Sequence, residues 1–140
     1  MKKVVLFGLL ISVFWSCSVD NAPSEEFHYE ILPIRSVEMP ASVEYNQVYN
    51  INYTYLRPST CHIYSDLYYL TEGNFRTVAV INTVINDNDT SSCETLNEVV
   101  EDRSFTFHVQ NNSGTYIFKF WQGENENGED EYLIYEVPIE

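Results

Sequence analysis

Residues 47–56 read QVYNINYTYL, and from Tyr49 every second side chain is large and apolar or aromatic. Tyr49, Ile51, Tyr53 and Tyr55 fall on one side, Asn50, Asn52 and Thr54 on the other. A period of two belongs to an extended strand, because successive side chains point to opposite faces. A strand with one oily and one wet face is stable only where a second layer covers the oily side. The pattern recurs in SFTFHVQ (104–110), TYIFKFW (115–121) and YLIYEVPI (132–139). A chain built this way is confined to layered β architectures.

Turn residues punctuate these runs. FHYEILPIRSV opens the body and is broken at Pro33, as an edge strand can be. Arg57-Pro58-Ser59-Thr60 leads into CHIYSDLYYL, and Gly73-Asn74 turns the chain into FRTVAVINTVI. NDNDTSSC reads as a loop, and GENENGEDE as a hairpin loop turning at Asn127-Gly128. Apart from one or two possible turns in ETLNEVVED, no segment holds a helical period. The expectation for residues 27–140 is an all-β domain, an antiparallel two-sheet sandwich of about seven strands. The 15% of aromatic residues, with eleven Tyr and eight Phe, suits such pleated surfaces. Ser113-Gly114-Thr115-Tyr116 resembles the approach to the sixth strand of immunoglobulin-like domains, where a tyrosine closes the corner. Phe118 stands where antibody domains carry cysteine, so the likeness is to bacterial immunoglobulin-like modules.

The N-terminus follows other rules. Lys2 and Lys3 precede an apolar run from Val4 to Trp15, then small Ser16 and Cys17, the layout of an export signal over residues 1–16. At twelve residues the run is short of the twenty or so a spanning helix needs. Phe14-Trp15-Ser16-Cys17 resembles the processing site of bacterial lipoproteins, which implies acylation of Cys17 and attachment to the outer membrane. Ordinary cleavage near Ser16 or Ser18, releasing a soluble protein, is the alternative. Residues 17–26 are polar and acidic with one proline, a flexible tether. Their early acidic positions are similar to those of Bacteroidetes lipoproteins sent to the outer face, and the whole chain resembles small Flavobacteria-type lipoproteins.

Three cysteines are an awkward number in an exported chain. If Cys17 carries lipid, Cys61 and Cys93 remain as a pair whose bond would close a loop of about 32 residues. Such closure is worth roughly 3–4 kcal/mol in the chain-entropy treatment. The alternative is two unpaired buried thiols. A metal site on Cys61, His62 and Cys93 lacks the usual ligand spacing.

Charge narrows the functions. Net charge is −14, and beyond the leader five basic residues face all 21 acids, which repels nucleic acid and anionic lipid headgroups. His28, His62 and His108 lie in no catalytic signature, and no cofactor motif is present. The acidic stretches 86–89 and 124–131 supply oxygens for calcium without the loop spacing of a calcium hand. The reading is a non-catalytic binding or accessory module of the envelope, partnered by the bilayer through Cys17 and by an envelope protein or surface ligand. The alternatives are a purely structural envelope lipoprotein without a small ligand and a calcium-binding β domain.

Strand alternation suggests where a ligand would sit. With Tyr116, Phe118 and Phe120 inward, Ile117, Lys119 and Trp121 face out; with Leu133, Tyr135 and Val137 inward, Tyr132, Ile134 and Glu136 do. With Ile63, Leu67 and Tyr69 inward, His62, Tyr64, Asp66 and Tyr68 face out. Immunoglobulin-like order sets these three strands side by side, so Tyr64, Tyr68 and Trp121 form the expected binding patch.

Overall fold

The computed structural model describes residues 27–85 and 93–140. The leader, Cys17, the tether and the acidic stretch 86–89 lie outside the described residues. Eight strands and no helix make up the rest: β1 (Phe27–Leu32), β2 (Ile34–Glu38), β3 (Val48–Leu56), β4 (His62–Glu72), β5 (Phe75–Ile85), β6 (Val100–His108), β7 (Thr115–Glu124) and β8 (Asp130–Pro138). Pro33 accounts for the eighth. It splits the opening run so that β1 joins one sheet and β2 the other.

The smaller sheet has the order β2-β3-β6 and is antiparallel throughout. The larger sheet is centred on β5. Along one edge β5 pairs with β4; along the other it is shared, with Phe75–Val78 parallel to β7 and Val80–Ile85 antiparallel to β1. β8 completes this five-stranded sheet beyond β7. The order corrects the expectation of an all-antiparallel domain with the strands now seen as β4, β7 and β8 side by side: β5 stands between β4 and β7. The reason is burial. Val78, Ala79 and Val80 are consecutive and all buried, Val78 and Val80 in the core and small Ala79 between larger side chains of flanking strands on the outer face. Such burial requires a neighbour along both edges and so places β5 in the middle.

The two inner faces meet in an aromatic core. Tyr116, Phe118 and Phe120 of β7 are fully buried, as their alternation requires. Phe107 of β6 meets Tyr116 and Phe118 edge-on, with centroids 4.9 and 5.0 Å apart, and Phe105 reaches Phe120. These contacts, the two of Phe107 in the edge-to-face geometry that ring quadrupoles favour, tie sheet to sheet. The Tyr116 hydroxyl accepts hydrogen bonds from the main-chain N–H groups of Gln110 (3.1 Å) and Asn111 (2.9 Å), closing the corner before β7. The β4–β5 hairpin turns on two residues, with Gly73 at φ +59°, a left-handed conformation that favours glycine. Cys61 and Cys93 lie at disulfide distance, with Cα atoms 5.4 Å apart, joining the start of β4 to the segment after β5.

Candidate functional site

Side chains directly opposed in the larger sheet share its outer face: Tyr68 with Ala79, Leu70 with Thr77, Thr77 with Lys119, Ile31 with Ile81, Lys119 with Ile134, and Trp121 with Tyr132. Between them runs an open groove of about 560 Å³. Ala79 makes its floor; only 4% exposed, it leaves a depression because its neighbours are larger. Tyr68 (41% exposed) walls one side, and Trp121 and Tyr132 the other.

Polar groups hold the aromatic wall in place. The Trp121 indole N–H donates to Asp130 Oδ1 at 2.7 Å, and the Tyr132 hydroxyl donates to Oδ2 of the same carboxylate at 3.3 Å. Lys119 Nζ sits 4.2 Å from the centroid of the Tyr132 ring. Partial burial, and then the Asp130 charge, push the Tyr132 hydroxyl above the ordinary tyrosine range, so it remains a donor into alkaline pH. Asp130 orients two rings at once, and such fixed aromatic walls offer contact area at little entropic cost. Large apolar side chains extend the face beyond the groove, among them Phe27, Tyr29, Phe75 and Ile134, each at least 45% exposed.

Two of the three expected patch residues, Tyr68 and Trp121, line this groove. Tyr64 does not, which corrects the expectation that it faces out. A bulge between Tyr64 and Asp66 shifts the β4 register, so the alternation set by Leu67 and Tyr69 reverses before it. Tyr64 turns inward onto Tyr53 and Tyr55, its hydroxyl accepting from Tyr53 at 3.3 Å, with the Arg103 guanidinium 4.7 Å from its ring centroid. For the same reason Ile63, expected inside, is 48% exposed. The contributions of β5 and β1 to the groove were missed in the sequence because β4 was set beside β7. The unbroken TVAVI stretch, too apolar for a half-wet strand, is the signal that places β5 between them.

A second polar array lies at the head of β4. His62 bridges Ser59 Oγ (2.7 Å, through Nδ1) and Glu30 Oε2 (2.9 Å, through Nε2), and Ser59 Oγ also accepts from the Cys61 N–H at 3.2 Å. Arg57 donates to the carbonyls of Ser59, Thr60 and His62. Ser59 thus closes the turn that delivers Cys61 to Cys93. Glu30 comes from β1 on the far side of β5, so no local spacing could have revealed it. Among the described residues no group of three or more His, Cys, Asp or Glu gathers into a metal site, and no helix is long and apolar enough to cross a membrane.

Fold and groove together define a class: a two-sheet β domain that presents an aromatic-walled groove on an open sheet face. Compared with protein-family models, curated proteins and solved structures, the chain finds no match in any of the three.

Proposed function

We propose that the chain is an exported, lipid-anchored and non-catalytic binding module of a bacterial cell envelope, with an immunoglobulin-like domain carried on acylated Cys17. The outer face of the larger sheet is its ligand face. The anchor rests on the leader and the odd cysteine of the sequence; the immunoglobulin-like assignment rests on the Tyr116 corner and the paired sheets. The observation that carries the binding role is the groove walled by Tyr68, Trp121 and Tyr132. A sheet face turned to water ordinarily carries polar side chains, and a contiguous aromatic surface of this kind marks an interaction site.

The test is site-specific crosslinking in the intact envelope. A photoreactive side chain at Tyr68 should give one discrete adduct, identifiable by mass spectrometry, whereas the same probe at Asn50, on the outer face of the smaller sheet, should not. Tyr68→Ala combined with Trp121→Ala should abolish capture at a neighbouring groove position, Thr77, while leaving the unfolding midpoint nearly unchanged. Equal adducts from both faces, or capture indifferent to the double substitution, would leave a purely structural lipoprotein as the better reading.

A further inference from the structure

β4 and β6 are edge strands of their respective sheets, and they lie on the same open side of the sandwich. Between them is a second cavity of about 330 Å³, walled by Tyr69 and Thr71 of β4 and by Phe105 to His108 of β6. Its charge is unlike that of the rest of the molecule. Although the chain has 21 acidic residues, none of the described ones lines this cleft, whereas Glu72, Glu124 and Asp130 line the outer groove. Arg76, only 5% exposed, also lines it, from the inner face of β5.

Among the described residues the guanidinium is held but not neutralised. Its Nη1 donates to the carbonyls of Gly73 (2.7 Å) and Phe75 (2.8 Å), and the group lies 4.9 Å from the Tyr116 ring centroid. Arg57 and Arg103 both reach Glu101, at 3.7 and 3.4 Å, but among the described residues no carboxylate comes within 4.0 Å of Arg76. Burying a cation without a counter-charge is costly, and carbonyl dipoles and a ring face offset only part of that cost. Burial raises the Tyr69 hydroxyl out of its ordinary range while the Arg76 charge works against the rise, so the cation's field reaches the cleft wall.

We propose that this cleft binds a small monocarboxylate on an apolar stem, with Arg76 as the anion-binding group. A planar guanidinium fork matches a carboxylate, and Leu67, Phe105 and Phe107 in the lining suit an apolar stem. One cation in so acidic a body balances a single negative charge better than a phosphate dianion. The site is independent of the outer groove, on the opposite face of the larger sheet.

Titration of the full-length chain in detergent with phenylacetate, phenylacetamide and inorganic phosphate, at constant ionic strength, tests the site. Phenylacetate should bind saturably and raise the unfolding midpoint, while the neutral amide and phosphate should bind at least about tenfold more weakly. Arg76→Lys keeps the charge but loses the fork, and should weaken phenylacetate about tenfold. Because Arg76 also clamps the β4–β5 turn, a second variant leaves it intact: Thr71 is the direct cross-strand neighbour of Arg76, so Thr71→Glu places a carboxylate beside it. That variant should fold with an equal or higher midpoint and lose phenylacetate binding. Absence of saturable binding, equal binding of acid and amide, or binding unaffected by Thr71→Glu would each overturn the proposal and leave Arg76 as a turn clamp.

Discussion

Tyr116 does two things from one position. Its ring is buried between Phe107, Phe118 and the Arg76 guanidinium, and its hydroxyl satisfies two main-chain N–H groups that would otherwise be left without partners. Tyr116→Phe keeps the ring and strands both donors, so it should cost about 1–3 kcal/mol, read as a lower urea midpoint with an unchanged slope. A loss below about 0.5 kcal/mol would mean that water replaces the hydroxyl. Tyr53 makes a different prediction. Burial, and then the hydrogen bond with Tyr64, hold its hydroxyl well above the ordinary tyrosine range. The stability linked to it is therefore fully present below about pH 10 and is lost as pH rises beyond that, because the unfolded chain releases its proton first. Tyr53→Phe should flatten the fall in stability between about pH 9 and pH 11; an unchanged alkaline slope would show that other tyrosines carry it. Tyr116 was legible in the sequence because its corner is local, five and six residues from its partners. The inward turn of Tyr64 was not, since a bulge leaves no mark in the alternation of the strand that carries it.

At the scale of elements, strand positions and most inward faces followed from alternation alone. β3, β6, β7 and β8 put the expected side chains into the core, because a strand with one wet face has a single workable register. Pairing between strands distant in sequence did not follow, as nothing local in β5 specifies a parallel neighbour. The link between Cys61 and Cys93 belongs to this scale. It fastens the start of β4 to the segment leading toward β6, beside the turn in which Arg57 gathers three carbonyls. Closing a loop of sequence separation 32 is worth roughly 3–4 kcal/mol. Cys61→Ser with Cys93→Ser should therefore lower the unfolding midpoint by several degrees while the spectrum of the β fold persists at low temperature. A midpoint within one degree of the parent would show that the Arg57 turn already supplies the constraint.

At the scale of the whole molecule, the proposed function assigns the leader and tether to export and anchoring and leaves binding to the two-sheet body. Between Cys17 and the first residue of β1, Phe27, lie nine residues, and ten such steps span at most about 35 Å. An acyl chain on Cys17 would thus keep the domain close to the bilayer, while the excess of 21 acids over five basic residues beyond the leader keeps its acidic surface from adhering to anionic headgroups. One acyl chain binds only marginally and reversibly, so stable anchoring through Cys17 would require a second membrane-binding signal. Mass spectrometry of the protein taken from its own membranes should find an N-terminus at Cys17 carrying acyl mass. Cys17→Ala should leave the leader uncleaved and prevent acylation. If instead the native protein begins unmodified at Ser18 or beyond, the chain is a soluble export product. Cys17 would then be removed with the leader, and the tether would no longer set how far the groove can reach from a membrane.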